Sequence, residues 1–341
     1  MDLVGNVENR RVSDDAQSPG HGRLVEPMNQ GPDQEGLPAE ILDDVAGVAG
    51  AEVTLLGRLA GGVNGGAVRV RLAGGRDVVL KALPRAHPNH LDETLRARRV
   101  VEHMRGRGYP TPAWLGVGAT ATHVWHLMDL VDAAPARELT PSLVEQLMEI
   151  IELQAGQASE PYDHWSYAWR VATGQGSATA GLGVDQTPEQ SNLRRSVAAL
   201  PGYSPAVSAL VDRLRLVCAD VPPPREAPDM VHADLATPSN VLVRDGAVVA
   251  VVDIGNAGSG TRATDLTSLA WYSFQSPLLD GVRRRLWARI LDLLGWEGAA
   301  VLAASHVLHM LEIPIRQDRH DLVGEVVERG HRTLDELIAL R

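Results

Sequence analysis

The feature that most constrains this chain is a polar loop with short apolar segments on both sides at residues 230–243. A second apolar run follows closely at residues 249–252. Apolar periodicity predicts two strands here, joined by a turn at residues 244–246, so the two strands form a hairpin. The polar positions are His232, Asp234, Ser239 and Asn240 in the loop and Asp253 at the end of the second strand. A carboxylate and an amide in one loop, with another carboxylate at a nearby strand end, are typical of a divalent-metal and phosphate site.

The chain is long enough for two lobes, with 341 residues of which 44% are hydrophobic. Residues 1–38 mix Gly, Pro, Gln, Asn and charges without periodicity, which predicts a disordered tail. We expect a nucleotide-binding N-lobe at residues 39–132 and a catalytic, substrate-binding C-lobe at residues 133–341. The boundary falls where a predicted strand ends before Pro135.

Composition narrows the classes of function. The single cysteine, Cys218, excludes an intramolecular disulfide and suits a cytoplasmic protein, and its apolar neighbours predict a buried packing role. The first residues lack a basic start and an apolar core, and no uninterrupted apolar run approaches the ~18 residues of a membrane span. We therefore expect no membrane partner. The net charge of -11 argues against nucleic acid and allows attraction of a cationic small molecule.

The N-terminal part predicts a small antiparallel sheet. Strands are expected near residues 52–56, 67–72 and 78–82, with a glycine-rich turn containing Gly61, Gly62 and Asn64 between the first two. Lys81 lies within the third strand among apolar neighbours, where an ammonium is costly unless it meets an anion. A helix at residues 91–107 follows and carries Glu93 and Glu102.

The rest of the chain is predicted to be mostly helical. A strand at residues 123–131 comes first, and residues 161–190 have no clear pattern. The expected helices are 143–154, 191–200, 205–219, 263–275, 278–294, 298–313 and 319–339. A small sheet followed by a helical lobe is an α+β plan.

Taken together, these motifs resemble the aminoglycoside phosphotransferase family of small-molecule kinases. That family's pattern reads His-Gly-Asp, four residues, Asn-Val-Leu, and then a strand that ends in Ile-Asp and an aromatic residue. In this chain, His232, Asp234, Asn240 and Asp253 match it, and residues 260–266 are similar to a further family motif. The similarity covers roughly residues 50–341 and implies a two-lobed protein-kinase-like fold.

The resemblance implies a role for each matched residue. Asp234 would accept the proton of the substrate hydroxyl, while Asn240 and Asp253 would be ligands of Mg²⁺. Lys81 would contact the phosphates of ATP or GTP, held by a helix carboxylate that is Glu93 in preference to Glu102.

Other roles concern the rest of the nucleotide and the loop itself. Gly61, Gly62 and Asn64 would cover the triphosphate, and backbone near Met128 and Leu130 would bind adenine. His232 and Asp265 are expected to support the loop. The tryptophans are expected in the core, although Trp165, Trp169 and Trp271 could line a substrate pocket.

Two positions depart from the family pattern. Asn240 lies one residue farther from Asp234 than usual, which places Ser239 at the family spacing and predicts a bulge near Thr237. Asn remains the better metal ligand. The aromatic residue after the metal carboxylate is replaced by Ile254, which could loosen the local packing.

The sequence therefore predicts an ATP- or GTP-dependent phosphotransferase acting on a hydroxyl of a small polar or cationic molecule, an antibiotic before others. A metabolic kinase for choline, a sugar or homoserine is the nearest alternative. A nucleotide-binding pseudokinase without turnover is a second one, and a protein kinase is disfavoured because the chain has no recognisable activation segment after Asp253.

Overall fold

A computed structural model describes residues 37–59, 67–158, 163–175, 196–225 and 227–341. Its N-terminal part is a five-stranded antiparallel sheet in the order β1-β2-β3-β5-β4. The strands are β1 (Val53–Arg58), β2 (Ala67–Leu72), β3 (Asp77–Pro84), β4 (Trp114–Ala119) and β5 (His123–Asp129). Two helices accompany the sheet, α1 (Ala39–Ala49) and α2 (His90–Gly106).

Strand β2 alternates between buried apolar and exposed charged positions, as a strand with one face on the core does. In β2, Val68 and Val70 are buried, while Arg69 and Arg71 point to solvent and contact Asp77 on β3. The buried face packs into its own small core, which includes Ile41, Val45, Val70, Val78, Leu80 and Trp125.

The C-terminal part is mostly helical and holds the main core of the protein. Its helices are α3 (Pro141–Glu152), α4 (His164–Thr173), α5 (Pro205–Val217), α6 (Ala263–Tyr272), α7 (Asp280–Arg316) and α8 (His320–Ala339). Two small sheets lie among them. The first contains β6 (Ala134–Pro135), β8 (Val241–Arg244) and β9 (Ala247–Val251), and the second contains β7 (Asp229–Val231) and β10 (Gly258–Gly260).

Helix α7 is broken at Gly295, whose φ of 67° and ψ of -178° are not helical. This break separates the two helices that the sequence predicts at residues 278–294 and 298–313. The segment Pro277–Arg316 is long and apolar enough to cross a membrane, but 72% of its most apolar window is buried inside the protein. It packs mainly against α4, α6 and α8 as a core helix.

The two-lobed α+β fold is confirmed, with a small antiparallel sheet and a larger helical part. Two elements have no counterpart among the predicted ones: β4, and α4 at residues 164–173, within the segment that has no clear sequence pattern. The expected helix at 191–200 is described only over residues 196–199. The predicted tail lies almost wholly outside the described residues. Cys218 is fully buried, and burial raises its pKa to about 12, as expected of a packing residue.

Candidate active site

The polar loop begins where β7 ends, and a buried carboxylate from α6 holds its first residues. Asp265 is fully buried. It accepts hydrogen bonds from the backbone N–H groups of His232 and Ala233 at 2.8 and 2.9 Å, and from Nε2 of Gln154 at 2.9 Å. The geometry matches the loop-supporting role that the sequence predicts for Asp265.

His232 is also a structural residue in this arrangement. Its side chain is fully buried, its Nδ1 accepts the backbone N–H of Asp234 at 3.3 Å, and its Nε2 lies 3.1 Å from the carbonyl oxygen of Val252. Since Nδ1 is the acceptor, Nε2 carries the proton and donates to Val252. The imidazole therefore ties the loop to the segment that carries Asp253.

Ala233 has a left-handed backbone, with φ of 71°, at the position where the family pattern has glycine. A residue with a Cβ atom is strained in this region by roughly 1–2 kcal/mol. The two bonds to Asp265 hold the backbone of this turn in place.

Ala233→Gly is expected to raise the free energy of unfolding by up to about 1 kcal/mol. Relief of the left-handed strain exceeds the ~0.4–1 kcal/mol that the extra freedom of glycine gives the unfolded chain. Ala233→Val should lower stability, because β-branched residues fit this region poorly. Urea unfolding of the three proteins measures both effects, and a valine variant as stable as wild type would contradict the assignment of strain.

Asp234 follows in the loop, and its half-buried carboxylate accepts a hydrogen bond at each oxygen. Thr237 donates its hydroxyl to Oδ1 at 2.5 Å, and Nδ2 of Asn240 lies 2.9 Å from Oδ2. Burial raises the pKa of Asp234; the two hydrogen bonds act in the opposite direction. Asn240, and not the neighbouring Ser239, is thus the residue that meets Asp234.

Asp253 lies just after β9 and meets the lysine of β3. Nζ of Lys81 is 2.5 Å from Oδ1 of Asp253 across a separation of 172 residues. Burial works against ionisation of Asp253, but the Lys81 ammonium outweighs it and lowers the pKa of the carboxyl. The backbone of Asp253 is left-handed, with φ of 65°, which turns the chain out of the strand.

Lys81 is the only lysine of the chain; the other basic residues among its 32 Lys and Arg are all arginines. An ammonium is a compact, strongly hydrated point charge, whereas a guanidinium is a planar fork. A lysine among arginines, half-buried on a sheet and facing a carboxylate, indicates a position that needs the compact cation.

The two carboxylates of α2 that the sequence offers as partners of Lys81 pair with other residues. Oε2 of Glu93 is 3.2 Å from Nε2 of His87, and Glu102 pairs with Arg98 one helical turn away, on the exposed side of α2. In the described part of the chain, the carboxylate that Lys81 meets is Asp253. A contact between Glu93 and Lys81 stays a prediction.

Two further contributions of the N-terminal part were not predicted. Arg96 of α2 is buried, and its guanidinium donates to the carbonyl oxygens of Gly255, at 3.1 Å, and Ala257. It thereby fastens the turn after Asp253 to α2. The sequence signal for a buried Arg96 is its position four residues before Val100, which places both residues on the buried face of α2.

His126 lies opposite Lys81 in the register of β3 and β5 and stacks on Trp114, with ring centroids 3.9 Å apart. Burial lowers the pKa of His126 to about 3, and the charge of Lys81 acts in the same direction. The neutral ring lies beside the Lys81–Asp253 pair without competing for the carboxylate.

The predicted adenine-binding positions lie in different settings. Met128 is inside the sheet, between β3 and β4, whereas Leu130 follows the end of β5. Backbone groups beyond the strand end are the ones available to a base, which favours Leu130. An open cleft of about 490 Å³ borders Leu130, but neither Lys81 nor Asp234 lines it. Gly61, Gly62 and Asn64 lie outside the described residues.

The remaining sequence expectations concern packing. Ile254 is 1% exposed and belongs to the main core, so the loosened packing expected beside Asp253 is not observed. The three tryptophans considered as pocket residues are buried members of the same core: Trp165, Trp169 and Trp271.

The oxygen donors fit a magnesium ion. The amide nitrogen of Asn240 is used by Asp234, which leaves the amide oxygen for a ligand, and the Asp253 side chain is 38% exposed. Mg²⁺ prefers hard oxygen ligands and is usually bound by one or two carboxylates together with phosphates and waters. Asn240 and Asp253 would hold the ion here.

The class defined by this fold and site is a two-lobed small-molecule kinase. A family model described as the phosphotransferase enzyme family matches residues 56–302. The chain belongs to this family, and it is a kinase of the aminoglycoside phosphotransferase type. No curated protein matches the chain at a significant level.

Solved structures share the fold. One is a thermostable mutant of aminoglycoside phosphotransferase APH(4)-Ia in a ternary complex with ADP and hygromycin B. It is 17% identical with a TM-score of 0.60, and the match covers 87% of this chain and 98% of that one. Another is a Thermobifida fusca protein described as a fructosamine-3-kinase. It is 23% identical with a TM-score of 0.50, and the match covers 86% and 98% of the two chains.

Proposed function

We propose that this protein transfers the γ-phosphoryl group of ATP or GTP to a hydroxyl of a small polar molecule. The observation that carries the proposal is the contact between Lys81 of the sheet and Asp253 of the C-terminal part. Asp253 follows β9, whose partner strand β8 directly follows the Asp234 loop. Phosphoryl transfer depends on positioning and charge neutralisation, which such a convergence of cation and carboxylates supplies.

Each residue then has a role that its surroundings support. Asp234, held at both oxygens, keeps a lone pair on each one and can accept the proton of the attacking hydroxyl. Lys81 binds phosphate oxygens near Asp253, and backbone at Leu130 binds the base. Magnesium held by Asn240 and Asp253 would neutralise charge on the phosphates.

For the acceptor, we favour a cationic antibiotic and hence a role in resistance in the cytoplasm. The acidic balance of the protein, net charge -11, favours approach of a cation. The fold shared with an aminoglycoside phosphotransferase that was solved with hygromycin B and ADP is consistent with this choice. The Thermobifida fusca structure shares the fold as well, so a metabolic sugar-type substrate is the second candidate.

A phosphorylation panel tests the proposal. The protein would be incubated with ATP or GTP and Mg²⁺ against hygromycin B, streptomycin, other aminoglycosides, macrolides, nucleoside and peptide antibiotics, choline, homoserine and sugar amines. Mass spectrometry would detect the phosphorylated product, and Asp234→Asn would be the blank. Tight nucleotide binding with no phosphorylated acceptor would instead identify a pseudokinase.

Lys81→Met is expected to raise the KM for the nucleotide about tenfold or more and to lower kcat as well. The variant removes a cation that contacts phosphates in both the ground state and the transition state. Lys81→Arg should restore little of the lost kcat or nucleotide affinity, because the planar guanidinium does not replace the compact ammonium beside Asp253.

The single lysine makes this prediction measurable at one atom. Reductive ¹³C-methylation labels Lys81 and the chain's terminal amine, so NMR should show one lysine signal that shifts when ATP or GTP binds. If the lysine signal does not shift at saturating nucleotide and Lys81→Met leaves the KM for the nucleotide unchanged, Lys81 is not part of the nucleotide site.

A further inference from the structure

The residue inserted between Asp234 and Asn240 has a defined contact. The loop absorbs the extra residue before a short 3₁₀ turn at Pro238–Asn240, which is closed by a hydrogen bond from the Asn240 N–H to the carbonyl oxygen of Thr237 at 2.8 Å. Leu235 and Ala236 are fully buried, so the loop is anchored. The longer spacing thus keeps Asn240 on Asp234 and adds a hydroxyl, that of Thr237, to the same carboxylate.

Two donors on opposite oxygens determine how the carboxylate is turned. The terminal torsion of an aspartate is broad, so one hydrogen bond leaves the group free to rotate about it. Thr237 on Oδ1 and Asn240 on Oδ2 together define the plane of the Asp234 carboxylate.

We propose that Thr237 is a positioning residue that holds the Asp234 carboxylate in the orientation from which it accepts the acceptor's proton. The family pattern has one residue fewer in this loop, and Thr237 lies within the lengthened part. The inference rests on the proposed role of Asp234 as the proton acceptor. A misplaced reacting group costs turnover without weakening nucleotide binding.

Thr237→Val removes the hydroxyl at nearly constant shape. We expect kcat to fall about 10- to 100-fold while the KM for the nucleotide changes less than about twofold. Thr237→Ser, which keeps the donor, should return kcat to within about threefold of wild type. The assays are Mg²⁺-dependent hydrolysis of ATP or GTP, with water as acceptor, and transfer to any acceptor that the panel identifies.

Thr264→Val is the matched control, since the Thr264 hydroxyl is buried and has no hydrogen-bond partner within the described residues.

The outcomes separate this inference from the proposed function. Wild-type kcat in Thr237→Val overturns the positioning role while Asp234→Asn remains inactive. Turnover in Asp234→Asn overturns the proposed function itself. If hydrolysis is too slow to measure, crystal structures of wild type and Thr237→Val decide: a rotated Asp234 carboxylate supports the role, and an unmoved one rejects it.

Discussion

Asp234→Asn is expected to lower phosphoryl transfer by about 10²–10⁴-fold while nucleotide affinity stays within a few-fold of wild type. The amide cannot accept the proton of the attacking hydroxyl, and a positioned general base contributes about this much to the rate. The variant keeps the shape of the side chain, so the hydrogen bond that Lys81 donates to Asp253 is left in place.

Single-turnover transfer and equilibrium nucleotide binding measure the two parts of this expectation. Asp245→Asn is the matched control, because Asp245 lies in the exposed β8–β9 turn with φ of 53°, a region that asparagine also adopts. Full turnover in Asp234→Asn would remove the carboxylate from the chemistry. Loss of nucleotide binding would make it a structural residue.

Asp265→Ala is expected to lower the free energy of unfolding by about 3–5 kcal/mol and to abolish turnover. Removing the carboxylate leaves three buried donors without an acceptor, the N–H groups of His232 and Ala233 and the amide of Gln154. Each costs about 1–3 kcal/mol when left unsatisfied, and their losses overlap because the loop relaxes. The loop that carries Asp234 would then lose its anchor.

Urea unfolding measures the stability, and hydrogen exchange at residues 232–234 measures the loop even if the variant is only partly folded. Asp335→Ala is the control, since the Asp335 side chain is 62% exposed and pairs with Arg213 at the surface. If both aspartates cost the same, the buried acceptor of Asp265 would not be what anchors the loop.

Much of the fold could be predicted because local periodicity carries it. The hairpin β8–β9, the strand that holds Lys81 and the break at Gly295 all follow from apolar spacing and turn residues. Helix α4 could not be predicted because its short, aromatic-rich sequence, 10 residues long, lies next to glycine-rich sequence. Strand β4 was missed because glycines at positions 116 and 118 weaken a strand pattern, although Trp125 packs directly against both.

The candidate site shows the same division. The carboxylates, the amide and the lysine could be named from motif order, and the prediction of Asn240 over Ser239 agrees with the contact to Asp234. The carboxylate that pairs with Lys81 could not be predicted from the sequence. Whether a carboxylate of α2 or Asp253 reaches the lysine depends on how the sheet packs against the C-terminal part. Arg96 lies outside every motif, and Thr237 occupies a position that the motif leaves variable.

The amino-acid order alone predicts a kinase-type site with Asp234 and Lys81 as its central residues, because short-range patterns and chemical type carry that prediction. Two features depended on the tertiary structure: the Lys81–Asp253 pair across 172 residues and the anchor at Asp265. Such contacts arise from packing between distant segments, and no local pattern specifies which side chains that packing brings within hydrogen-bonding distance.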